Sequence, residues 1–246
     1  LNATGAIRFE QSSGIENLVA RNATGNGGDI IISSGSLSLN NSVLNTSMNG
    51  QGNAGSILLR ASDSILITGN RTGISTGVGS RGVGKGGDID ISASSLSIKD
   101  GAQLQSAIFL GDTSAGQGNA GNVNIDVTGA VTIDGLKQRP SGIYSLVSRG
   151  GRGKGGNITI SAGSFSLTNG ANVFANTNGQ GDAGTIQINA TDFVNISGAS
   201  ATRGDSSEIS TRTTSPHRGG DIRINTRSGR VSDGALVNAR TDGDGN

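Results

Sequence analysis

Gly84-Lys85-Gly86-Gly87-Asp88-Ile89-Asp90-Ile91 opens a stretch that runs on through Ser95-Leu96-Ser97-Ile98 to Asp100-Gly101-Ala102-Gln103-Leu104-Gln105. Within each of its three short runs apolar and polar residues alternate, which is the period of a strand with one buried face. Between the runs stand glycine and aspartate, because tight corners need positive φ, which glycine adopts freely and Asn or Asp tolerates. Three strands joined by tight corners describe one triangular turn of a solenoid.

The same unit recurs along the whole chain. Gly-Gly-(Asp/Asn)-Ile stands at Gly27–Ile30, Gly86–Ile89, Gly155–Ile158 and Gly219–Ile222, and a second landmark, Gly-Gln-Gly-(Asn/Asp)-Ala-Gly, alternates with it at Gly50–Gly55, Gly116–Gly121 and Gly179–Gly184. With Gly28, Gly55, Gly87, Gly121, Gly156, Gly184 and Gly220 as phase markers, successive intervals are 27, 32, 34, 35, 28 and 36 residues. A repeat of this length means a stack of supersecondary units. One unit alone does not fold, because its few aliphatic side chains fall well short of the conformational entropy of about thirty residues. Stacking at about 4.8 Å per turn predicts an all-β parallel β-helix with three strands per coil, about seven full coils plus a partial one, roughly 35 to 40 Å long. Leu1-Asn2-Ala3-Thr4 aligns with Ile188-Asn189-Ala190-Thr191, and Gly243-Asp244-Gly245-Asn246 begins a further second landmark. The expectation is therefore a single β-helix segment over 1–246, cut within its repeat at both ends.

Composition agrees. The 246 residues include 43 Gly, no Cys or Trp, one Tyr and one His, while Ile, Leu, Val and Phe number 24, 15, 12 and 5. That apolar share exceeds the roughly 20% below which chains stay disordered, and the net charge is only +1. Absence of cysteine removes disulfides and thiolate chemistry and suits a chain that crosses a membrane unfolded. No apolar run approaches the roughly 18 residues of a membrane span, so no membrane insertion of this segment is expected.

Gly84–Ile91, Gly153–Ile160 and Gly116–Val123 carry a resemblance that covers the whole chain. They are similar to repeat regions of filamentous haemagglutinin-like exoproteins exported by two-partner secretion, above all the Gly/Asn/Ser-rich versions found in cyanobacteria. The resemblance implies a right-handed β-helix, an outer-membrane secretion partner, an extracellular or cell-surface location, and a structural or adhesive role.

Candidate sites are few. His217, the only imidazole, lies in Pro216-His217-Arg218 at a corner, and no cofactor-binding or catalytic set is expected. Asp88 and Asp90 face outward together, where a cation would fit, but a solvated face explains them better. Gly82–Gly87 and Gly151–Gly156 match the dinucleotide fingerprint formally, yet each precedes a strand, which offers no helix N-terminus to a pyrophosphate. Arg203-Gly204-Asp205, in a long corner, matches an integrin-binding tripeptide, but chance occurrence is the better account in a chain this rich in glycine. The residue two before each phase glycine forms a column, Asn26, Asn53, Lys85, Asn119, Lys154, Asp182 and Arg218. Lys85, Lys154 and Arg218 are candidate contacts for an anionic polysaccharide, too dilute for a nucleic-acid stripe. Ile31, Leu58 and Leu66 break the outward polar pattern, and Ile108, Phe109 and Leu110 lie in an apparent insertion. These six are candidate lateral contacts for self-association. Gly229 occupies the inward site held elsewhere by Leu37, Leu96 and Phe165, so the last coil is expected to be loose. The function these readings give is a non-catalytic shaft. The alternatives are a subunit of an extracellular filament or surface layer and, behind it, a β-helical polysaccharide lyase or hydrolase.

Overall fold

The computed structural model describes residues 1–109, 116–135 and 139–243, and among them every regular element is a β-strand. Coil 1 holds β1 (Ala6–Glu10) and β2 (Gly14–Glu16), with its first side marked only by a bridge between Asn2 and Ser33. Coils 2 to 5 each hold three strands: β3 (Ile30–Ser34), β4 (Ser36–Asn40) and β5 (Val43–Met48), then β6 (Ile57–Ala61), β7 (Ser64–Thr68) and β8 (Gly73–Val78). They continue with β9 (Ile89–Ala93), β10 (Ser95–Lys99) and β11 (Gln103–Ile108), then β12 (Val123–Val127), β13 (Ala130–Asp134) and β14 (Gly142–Val147). In coils 6 to 8 the first two strands fuse around the corner, giving β15 (Ile158–Thr168) with β16 (Asn172–Phe174), β17 (Ile186–Ser197) with β18 (Glu208–Thr213), and β19 (Ile222–Ser232) with β20 (Leu236–Thr241). The fold is thus a right-handed parallel β-helix of about eight turns.

Every named strand pair is parallel, with residues one coil apart in register. The third face is a separate sheet ordered β2-β5-β8-β11-β14-β16-β18-β20, while the fused strands join the first and second faces into one. Like therefore stacks on like. On the first face Ile30, Ile57, Ile89, Val123, Ile158, Ile186 and Ile222 form one inward column. Such columns of β-branched residues fit a pleated surface and leave few rotamers to lose. Hydrogen bonds run almost wholly between neighbouring coils, so stability accumulates coil on coil.

The corner between second and third faces uses the expected left-handed residues: Asp100 and Gly101 have φ of 58° and 87°, and Asn169 and Gly170 have 57° and 78°. Gly229 pairs with Val194 on the inward column of the second face, as expected. In the same coil the inward Val231 and Val237 are 55% and 42% exposed, with no further described coil covering them.

The interior has two lobes, which alternation alone did not indicate. The main core joins the aliphatic columns of all three faces. A smaller cluster of Val19, Met48, Ala54, Val78, Ile108, Ala120 and Val147 gathers at the far end of the third strand. Between them runs a seam of buried hydroxyls. Thr76 donates to the Gly87 carbonyl at 2.5 Å, Ser106 to the same carbonyl at 3.0 Å, Ser145 to Gly121 at 3.0 Å and Thr211 to Gly220 at 2.8 Å. Here the glycine landmark crosses the interior, and the hydroxyls supply partners to its buried carbonyls, two of them sharing Gly87.

This second lobe corrects one expectation. Ile108 is fully buried within it. The third strand runs to Ile108 in β11, three residues beyond the alternation visible at Ala102–Gln105, and each coil from 2 to 5 places an apolar residue at that end. Ile108 is therefore no lateral contact.

Candidate functional site

The phase glycines are dictated by close approach. A Cβ on Gly87 would lie 1.9 Å from the Gly55 carbonyl oxygen, and one on Gly121 would lie 2.0 Å from that of Gly87. The coils pass so near each other that no side chain fits between them.

Beside this glycine column the charged column proves to be an amide ladder. Asn26 Oδ1 accepts the Asn53 N–H at 2.9 Å, Asn53 Oδ1 the Lys85 N–H at 3.1 Å, Asn119 Oδ1 the Lys154 N–H at 3.0 Å and Asp182 Oδ1 the Arg218 N–H at 3.2 Å. Each Asn or Asp thus holds the backbone of the residue stacked on it, and Lys85, Lys154 and Arg218 occupy the intervening rungs. Lys154 Nζ also lies 3.4 Å from Asp182 Oδ2. The backbone N–H of Arg218, with help from Lys154, holds the Asp182 carboxyl below its ordinary value.

A second ladder engages the acidic or amide residue after three of the four Gly-Gly pairs and Asn122 between them. Asp29 accepts the Ser56 N–H at 2.8 Å, Asp88 the Asn122 N–H at 2.6 Å, Asn122 the Asn157 N–H at 2.9 Å and Asn157 the Thr185 N–H at 2.9 Å. Asp90 accepts from the Asn124 amide at 2.8 Å. Asp88 and Asp90 are therefore engaged within the wall. Among the described residues no group of three or more His, Cys, Asp or Glu is placed to hold a metal ion.

The apolar candidates separate. Ile31 stacks directly on Leu58 on the first face and is 50% exposed, but the next residue of that column is Asp90, so the patch ends after two coils. Leu66 is on the second face between Ser38 and Ser97 and half-buried. Phe109 is partly buried against the third face, where a Cβ on Gly77 would come within 2.9 Å of its ring. Leu110 lies outside the described residues.

The remaining motifs resolve into local structure. His217 is exposed at its corner. Both glycine fingerprints lead into strands, β9 and β15. Arg203 turns back onto Asp205, with Nε 2.7 Å from Oδ2, and also donates to the Gly170 carbonyl at 3.1 Å. The Arg203 side chain is only 17% exposed and is folded against its own corner, while Asp205 stays 63% exposed.

Two surface features were not legible in the sequence. On the first face a shallow groove of about 550 Å³ is lined by Arg60, Asp90, Asn124, Asp126 and neighbouring residues. At the corner between second and third faces lies a cavity of about 620 Å³, lined by Asn40, Asn41, Thr68, Gly69, Asn70, Asp100 and Arg139. Arg139 arches over it by reaching back across an intervening coil, donating to the Asn70 carbonyl at 3.0 Å and to Gln103 Oε1, and leaves it open to solvent. Nearby on the third face Tyr144 packs edge-on against Phe174, centroids 5.7 Å apart, and burial pushes its phenol above the ordinary value. Spacing gives no signal for such a reach, because Arg139 and Asn70 are 69 residues apart. Comparison with known proteins gave no match: no family model, no curated protein and no solved structure matches the chain.

Proposed function

We propose that the chain is a structural or adhesive shaft of a large secreted cell-surface or extracellular-matrix protein, and that it is non-catalytic. The observation that carries this reading is the use made of the recurrent residues. The phase glycines, both side-chain ladders and the buried hydroxyls are all spent on joining coil to coil. Repetition at this cost in sequence serves length and stiffness. In keeping with the resemblance to filamentous haemagglutinin-like exoproteins, export through an outer-membrane partner and an extracellular location are part of the proposal. Fractionation of the producing cells tests it: the protein is expected in the medium or on the cell surface, and a cytoplasmic pool alone would sink it.

A filament or surface layer is the second reading, favoured by the exposed Ile31 stacked on the outward Leu58. Electron microscopy of native material separates the two, since isolated rods of one length exclude a filament. A polysaccharide lyase or hydrolase would use the Arg60, Asp90 and Asp126 groove. Depolymerisation of an acidic glycan by the purified chain, abolished by Asp126→Asn, would replace the shaft reading with that one.

A further inference from the structure

We propose that the corner cavity roofed by Arg139 is a binding site for an uncharged oligosaccharide. This deepens the adhesive reading above and rests on it. Six of its seven lining residues carry hydrogen-bonding side chains: three amides, a hydroxyl, a carboxylate and a guanidinium. An apolar ligand would leave these groups without partners. The single cation and single anion balance, so a charged ligand would meet a like charge beside its opposite. A ligand dense in hydroxyls, each both donor and acceptor, satisfies the wall best.

The unspent groups are the right ones. Asp100 commits Oδ2 to the Thr68 hydroxyl at 2.8 Å and keeps Oδ1. Asn41 donates to Asn40 Oδ1 at 3.1 Å, which leaves the Asn40 amide donors. The Asn70 side chain has no hydrogen bond among the described residues, although its backbone carbonyl anchors Arg139. The cavity is also built. Arg139 spans from coil 5 to coil 3, and a Cβ on the intervening Gly101 would lie 3.1 Å from Asn70 Cα and 3.2 Å from the Arg139 carbonyl. Gly101, whose φ of 87° already calls for glycine, thus sits directly beneath the Asn70 and Arg139 backbones.

An open, polar site binds weakly, so the test uses glycans displayed at high density, where avidity makes weak contacts visible. Immobilised cellohexaose, maltohexaose, mannohexaose and galactohexaose are compared with alginate and heparin hexamers as retainers of the whole chain. At least one neutral hexaose is expected to retain it, and Asn40→Ala and Asp100→Asn are expected to weaken retention at least about fivefold without moving the urea midpoint. Asn is tolerated at the left-handed corner, as Asn169 shows at the equivalent position. Arg139→Ala, which opens the roof, is expected to abolish retention. Failure of every neutral hexaose, retention by the charged hexamers alone, or equal retention by wild type and variants overturns the proposal. Each of those results leaves cellular location and rod length, which test the shaft itself, unaffected.

Discussion

At the scale of single residues, glycines that look alike in the sequence have opposite roles. Gly87 admits no Cβ, whereas nothing lies within 4 Å of the Cβ position at Gly73, whose φ is not positive. Gly87→Ala is expected to cost about 3 kcal/mol or more, since backbone must move. Gly73→Ala is expected to be neutral or stabilising by about 0.4 to 1 kcal/mol, because it restricts the unfolded chain. Urea unfolding of the pair decides it, and equal losses would show that close approach is not what selects glycine. The hydroxyl seam makes a second prediction. Ser145 donates to the Gly121 carbonyl and accepts the Gly156 N–H at 2.9 Å. Ser145→Ala strands both peptide groups, an expected loss of about 1 to 3 kcal/mol. Coil 6 carries Ala175 at this place and solves the problem differently, with the Gly184 N–H donated to the Ala175 carbonyl at 3.1 Å. These differences were not legible beforehand, because the alternation distinguishes inside from outside and says nothing about what an inward hydroxyl meets.

At the scale of elements, the ladders decide how one coil docks on the next. Asp182 stands where Asn26, Asn53 and Asn119 stand, with a carboxylate in place of their amide and Lys154 beside it. Its carboxyl is held below the ordinary value chiefly by the Arg218 backbone N–H. A lowered folded value means that its small contribution is fully present above the ordinary aspartate value and is lost as pH falls through the folded one. Asp182→Asn keeps the acceptor, so stability at pH 7 is expected to change by no more than about 0.5 kcal/mol. The wild-type advantage, if measured between pH 5 and pH 2, should shrink, and melting curves at both ends check this. A variant that melts far below wild type at pH 7 would mean that charge, and not the acceptor, holds the rung. The candidate site is legible at this scale only in part. Alternation correctly placed Ile31 outward, but Ile108 went inward because the third strand outran its visible pattern. Arg139 was invisible, since its partners come from a different coil.

At the scale of the whole molecule, a stack of similar units has stability that varies along its length. Gly229 leaves an inward place in coil 8 unfilled, and a Cβ there would meet nothing nearer than 3.4 Å. Amides of β19 and β20 are expected to exchange with solvent before those of β9 to β14. Gly229→Val, adding a β-branched side chain to the column of Val131, Phe165 and Val194, is expected to slow exchange in β19 selectively. Uniform exchange along all coils, unchanged by the substitution, would mean that the solenoid opens as one unit.

The solenoid is legible in the residues alone, because strand alternation, corner glycines and a recurring landmark bury the aliphatic side chains in stacked triangular turns. How neighbouring coils use the polar side chains emerges only once the coils are stacked. Intervals that vary from 27 to 36 residues shift each side chain against its neighbours by amounts the repeat does not announce. Whether an Asn becomes a rung, a Ser enters the seam or an Arg roofs a cavity depends on that offset, and so on distances that exist only once the coils are stacked.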